Sequence, residues 1–176
     1  MDESSFAGWG IRTVAAGAPR YNPMSYHNGS IWPHDNAIAA AGLARYGLTG
    51  EAARILDGML DLSQVVDLHR LPELLCGFRR RAEERPTLYP VACAPQSWAA
   101  GAVFMLLQAA LGLQLDAKLR RLTFVRPSLP ESIERLDLMN IGVGGASVDL
   151  RLERHAHDVT ISVLRRDGDV EIVTIK

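Results

Sequence analysis

Apolar positions between residues 49 and 66 recur at helical spacing. Ala52, Ile55, Leu56, Met59 and Leu60 follow i, i+3, i+4, i+7 and i+8, which predicts an amphipathic helix with one buried stripe. Gly47 is placed to end the preceding segment and Thr49 to cap this one. Upstream, the small-residue run NAIAAAGLARYG predicts a helix from about Pro33 to Tyr46. Ser30 or a neighbour is expected to cap it, Pro33 suits a first turn, and Asp35 complements the positive end of the helix dipole. A third helix, 96–113, opens after Pro95. Its sequence is apolar on every side, the pattern of a helix buried among other helices.

The period changes after residue 118. LRRLTFV, ERLDLMNIGVG, ASVDLRLERH, DVTISVLRR and DVEIVTI alternate as strands do, separated by RPSLPES, Gly144-Gly145, HAHD and RDGD. Asp167-Gly168 reads as a hairpin signal. Alternation places Val148, Leu150 and Leu152 on one face, and Val159, Ile161 and Val163 likewise. The expected organisation is a mainly α part, 1–118, followed by a small antiparallel β-rich appendage, 119–176, with a structural role. Before the first helix, 33 residues rich in Gly, Pro, Ser and Asn read as structured loop, in which GWGIRT (8–13) begins a short strand or turn. Residues 68–95 form a connection longer than idle loops usually are, with RRRAEER as a solvated stretch.

Composition narrows the partners. At 176 residues with net charge −1, the chain has the size of one domain or little more. It offers no electrostatic reason to bind nucleic acid or an anionic membrane. The N-terminus lacks the pattern of a secretory signal, and 97–113 falls short of a membrane span. A cytoplasmic location is expected, with Cys76 and Cys93 as reduced, buried thiols, although their spacing leaves a disulfide open.

Most standard chemistries find no pattern here. His27, His34, His69, His155 and His157 are not spaced as metal ligands, and neither HExxH nor paired Cys motifs occur. There is no GxSxG elbow. GVGG at 142–145 lies among strands and reads as a turn or bulge. No metal and no cofactor are expected. What stands out is a set of aromatic and short polar side chains on loops that lead into helices. Residues 26–36 supply Tyr26, His27, Asn28, Trp32, His34, Asp35 and Asn36; the second loop supplies Glu73, Tyr89, Gln96 and Trp98. Sugars present apolar faces that stack on aromatic rings and hydroxyls that need donors and acceptors. Glu73, among apolar neighbours, can have its pKa tuned for acid or base work. Spacing alone leaves plainer readings open: Trp32 and Trp98 as core residues, Asp35 as a dipole partner, Asn28-Gly29 as a turn, and Glu73 as a first-turn residue.

GWGIRT, RYNPMSYHNGSIWPHDNA, GLARYG, RLPELLCGF and YPVACAPQSWAAGA, in that order, resemble the C-terminal part of bacterial amylo-alpha-1,6-glucosidases and glycogen-debranching-like proteins. These are similar to the wider group of glycoside hydrolases with an (α/α)6 barrel, and the β-rich tail resembles the segment ending such chains. The resemblance implies inverting hydrolysis of an α-glycosidic bond, in a pocket built from inner-helix loops. It implies that Glu73, in the loop before the last inner helix, is the catalytic base. It implies sugar-binding roles for Tyr26, His27, Asn28, Trp32, His34 and Asp35, and more weakly for Gln96 and Trp98. The implied partner is an α-glucan or oligosaccharide. A full barrel needs six helix pairs, whereas this chain has room for about four helices, so the expected fold is the last few helices of a barrel plus the β segment. The general acid of the related enzymes lies upstream of the GWGIRT block, so the chain reads as a glycosidase fragment, inactive alone. Unpartnered helix faces lead to the expectation of a homo-oligomer, a domain-swapped assembly or marginal stability. The alternative is a non-catalytic carbohydrate-binding or assembly module.

Overall fold

The structure is a computed structural model that describes residues 1–176. Three helices, α1 (Pro33–Arg45), α2 (Thr49–Val65) and α3 (Ser97–Leu111), are followed by six strands. The strands are β1 (Leu113–Asp116), β2 (Arg121–Val125), β3 (Arg135–Val143), β4 (Ala146–Arg154), β5 (Val159–Asp167) and β6 (Glu171–Ile175).

Helix α1 starts where Pro33 demands it. Trp32 is extended (φ −113°, ψ 119°), as the residue before a proline must be. No side chain caps this end, contrary to the expectation for Ser30. The Ser30 hydroxyl instead donates to the Tyr26 carbonyl (2.6 Å) and accepts from the Trp32 indole (2.9 Å). At the other end Gly47 takes a left-handed φ of +80° and donates to Ala44 O, which is the stop its position suggested. In α2 the stripe of Ala52, Ile55, Leu56 and Met59 is buried, with Leu62 extending it.

The three helices share one core, in which Ala37, Ala40, Ile55, Met59, Ala102 and Leu106 pack with Ile31, Phe6 and Trp9 of the N-terminal loop. Small residues on α1 and α3 let these helices lie close. Helix α3 departs from its expected all-round burial. One face (Ala99, Ala102, Leu106, Ala110) is buried, while Trp98 and Phe104 are 65% and 76% exposed and Val103 and Met105 are also uncovered. Only α1 and α2 reach this helix from the helical side, so its outer face stays apolar and open.

The strands also depart from a single antiparallel sheet. They form two three-stranded sheets, ordered β1-β2-β6 and β3-β4-β5. The first contains a parallel pair, β2 with β6, in register from Arg121↔Glu171 to Val125↔Ile175. Gly168 (φ +83°) does turn the chain after β5, but it sends β6 across to the other sheet instead of closing a hairpin. The true tight hairpin is at Gly144-Gly145, both at positive φ (+57° and +85°), as a two-residue turn between β3 and β4 requires. Val148, Leu150 and Leu152 are fully buried, and Val159 with them. Further along β5, Val163 is 44% exposed. These strands cover a second apolar cluster with Leu111, Leu122 and Phe124, and Leu107 of α3 touches both clusters.

No helix is long and apolar enough to cross a membrane. Both cysteines are unpaired; Cys76 is buried as expected, whereas Cys93 is exposed.

Candidate active site

The long connection after α2 is not surface loop throughout. Residues 71–77 are buried and run beside the segment that enters α1. Ile31 and Leu75 exchange both backbone hydrogen bonds (3.0 Å each). Single bridges continue the pairing outward, Arg12 to Ile31 on one side and Leu75 to Leu88 on the other. The GWGIRT segment is anchored to this lattice by two buried polar side chains. Arg12 donates to the carbonyls of Gly77 (2.7 Å), Glu3 (3.0 Å) and Ser4 (2.9 Å). Asn36, in the first turn of α1, accepts from Ile11 N (2.6 Å) and donates to Ile11 O (3.1 Å) and Trp32 O (3.0 Å). Neither residue's structural duty was evident from sequence, because their partners are backbone atoms distant along the chain.

This lattice brings Glu73 to the start of α1. Its side chain is 9% exposed. Tyr26 donates its hydroxyl to Oε1 (2.5 Å), and the Cys93 amide donates to Oε2 (3.1 Å). The Glu73 amide in turn donates to the Cys93 carbonyl (2.9 Å), so Glu73 ties two loops together.

The ring of Tyr26, whose hydroxyl bonds this carboxylate, starts a run of aromatic contacts. Tyr26 meets Trp32 and His27 edge to face, with centroids 4.7 Å apart in each case, and leans on Tyr89 at 5.5 Å. His27 lies parallel to Trp32 at 5.8 Å. His34 stands edge-on to Trp32 (5.4 Å) and to Trp98 (4.8 Å), joining the starts of α1 and α3. Its Nδ1 is buried without a hydrogen-bond partner.

Of the residues singled out by sequence, the structure joins Tyr26, His27, Trp32, His34, Trp98 and Tyr89 in one run of ring contacts, linked to Glu73 through the Tyr26 hydroxyl. Three lie at the margin. Asn28 is exposed and engaged in a turn through its backbone. Asp35 is 56% exposed and lies 3.7 Å from His34 Nε2. Gln96 caps α3, accepting from Ser97 N (3.2 Å). The Cys93 amide, a direct partner of Glu73, left no trace in the sequence, since any residue supplies an amide. No group of three or more His, Cys, Asp and Glu side chains converges as a metal-ligand set.

The electrostatics select among the roles open to Glu73. The Tyr26 hydroxyl, then the Cys93 amide, hold its carboxyl below the usual glutamate range, outweighing the opposite effect of burial. Reciprocally, the bond to Glu73, followed by burial, pushes the Tyr26 phenol up to about 12. Glu73 is therefore an ionised acceptor near neutral pH. It is not a proton donor there. A carboxylate has about four acceptor positions, and two are occupied, so acceptor capacity remains for water or a sugar hydroxyl.

Residues 1–72 match the family model described as Mannosylglycerate hydrolase MGH1-like glycoside hydrolase domain. The match takes in the GWGIRT segment, the aromatic block and α1 and α2, and ends one residue before Glu73. No curated protein matches the chain. The first 72 residues are thus glycoside hydrolase-like in sequence; the match does not extend to amylo-alpha-1,6-glucosidases.

Proposed function

We propose that this chain forms the base side of a glycosidase pocket, with Glu73 as the general base in inverting hydrolysis of an α-glycosidic bond. The observation that carries this reading is a nearly buried carboxylate bonded to Tyr26, whose ring begins a run of aromatic contacts that reaches the starts of α1 and α3. In an inverting enzyme one carboxylate activates water while a second carboxylic acid, about 6.5–9.5 Å away, protonates the leaving oxygen. Glu73 has the charge state and the spare acceptor positions for the first task. Trp98, exposed and adjoining His34, offers a ring face for a sugar.

The second carboxyl group is not part of the cluster. Asp35 is the carboxylate within the aromatic block, but it is solvent-facing beside His34. We therefore read the chain by itself as unable to cleave glycosides, and α1–α3 as the end of an (α/α)6 barrel. The apolar outer face of α3 supports the alternative of an assembly module or a self-associating chain.

For the substrate, resemblance favours α-1,4 and α-1,6 glucans, whereas the family match favours a mannosyl group linked to glycerate. Titration of the 15N-labelled chain with maltooligosaccharides, α-1,6-linked oligosaccharides and mannosylglycerate separates them. The reading predicts shifts at the Trp98 indole and at the His34 and Cys93 amides with one sugar class. Shifts confined to residues 140–176, or none with any class, overturn it. Light scattering on the same samples reports self-association.

A further inference from the structure

We propose that Tyr26 serves through its hydroxyl as the positioning residue for Glu73, and not through its ring as a sugar platform. This replaces the substrate-binding role that resemblance implied. The ring is crowded by His27, Trp32 and Tyr89 at 4.7–5.5 Å, unlike the open ring of Trp98. Its backbone carbonyl accepts from Ser30 Oγ (2.6 Å) and Trp32 Nε1 (3.2 Å). Held at both ends, the phenol has one place to deliver its proton, the Oε1 atom of Glu73 at 2.5 Å.

The ionisable groups facing this carboxylate come from three elements. Tyr26 comes from the loop before α1, His34 from α1 with Asp35 beyond it, and Cys93 and Tyr89 from the loop before α3. The Tyr26 hydroxyl and the Cys93 amide bond to Glu73 directly, and the Cys93 side chain lowers its pKa to a smaller extent. The amide survives any side-chain change, so the hydroxyl is the removable half of the hold. Without it the nearly buried carboxylate loses the largest of the influences that favour its ionised form, and the neutral acid form gains. The catalytic meaning of this hold rests on reading Glu73 as the base; the hold itself does not.

The test follows the 13C carboxyl resonance of Glu73 with pH in the full chain, assigned by its absence in Glu73→Gln. In the wild type the midpoint should lie below about 4.3, the value of a free glutamate. Tyr26→Phe keeps the ring and removes the oxygen, so its midpoint should rise toward that value, while the midpoint of Asp149 in the β sheet stays fixed. A wild-type midpoint at or above about 4.3 overturns the proposal without any variant. So does a Tyr26→Phe midpoint equal to the wild type's. Turnover plays no part in this titration, so a failure of Glu73 as base and a failure of the Tyr26 hold are separate results. In any preparation that does turn over, Tyr26→Phe should move the acid limb of the kcat profile to higher pH, which a loss of packing alone does not do.

Discussion

Replacing Asn36 by Ala tests whether the N-terminal loop is clamped to the site as the geometry states. Asn36 is 2% exposed, and its amide makes three hydrogen bonds, two of them with Ile11. Trp32 O keeps another donor after the change, the Asn36 backbone amide at 3.0 Å. The Ile11 N–H and C=O keep none. A buried polar group left unpaired costs about 1–3 kcal/mol. Ile11 is only half-buried, so water relieves part of this, and the expected loss is about 2–4 kcal/mol in all. With a urea m-value of about 2 kcal/mol/M, the unfolding midpoint should fall by about 1–2 M. Trp9 and Trp32 flank the clamp in sequence and report the transition by fluorescence. Hydrogen exchange supplies the local readout, in which the Ile11 amide should lose protection. A loss under about 0.5 kcal/mol, the range of an ordinary surface change, with Ile11 protection intact, would refute the clamp.

Gly77→Ala should be among the most damaging small changes, because an added Cβ would lie 1.6 Å from the Gly29 carbonyl oxygen. The strand carrying Glu73 would be pushed off Ile31, at a cost at or above the upper end of the roughly 1–3 kcal/mol typical of overpacking, measurable in the same urea series. The two tryptophans should separate. Trp32→Leu removes a buried ring and its bond to Ser30 Oγ and should cost about 2–4 kcal/mol of stability. Trp98→Leu, at an exposed site, should leave stability within about 0.5 kcal/mol. It should weaken sugar binding about 2–12-fold, taking about 0.5–1.5 kcal/mol as the scale of an aromatic contact; unchanged affinity by calorimetry would return Trp98 to a packing role.

What could be read from sequence was what local chemistry decides. Pro33 set the start of α1, Gly47 its end, and the spacing of Ala52 to Met59 the buried side of α2. Alternation identified the strands, since one residue's side determines the next. Pairing was not legible in the same way. Asp167-Gly168 announces a turn, but whether β6 returns to β5 or crosses to β2 depends on contacts some 50 residues away in sequence, as in Arg121↔Glu171. The apolar character of α3 was visible, but burial depends on neighbours, and this chain supplies them on one side only.

The site shows the same division. Its aromatic and polar residues could be named from composition at two loops, and five of them form one run of ring contacts that Tyr26 joins to Glu73. Which ones touch it could not be read. Tyr26 and Glu73 lie 47 positions apart and join through a lattice of single bridges at Ile31 and Leu75, which has no sequence period. Gln96 and Asn28 were chosen for the right residue types, yet their bonds serve a helix cap and a turn.

The central claim is that Glu73 is a base and that this chain carries the base side of the reaction. α-Glucosyl fluoride tests it most directly, because fluoride departs without the proton that a glycosidic oxygen needs, leaving only the activation of water to the protein. Glu73→Gln is a mild probe: the amide oxygen can accept from Cys93 N–H while the NH₂ group donates to the Tyr26 oxygen. The account predicts that the purified chain releases fluoride but leaves α-1,4 and α-1,6 oligosaccharides intact, and that Glu73→Gln slows fluoride release about 10²–10⁴-fold. Equal release by the wild type and Glu73→Gln would contradict it.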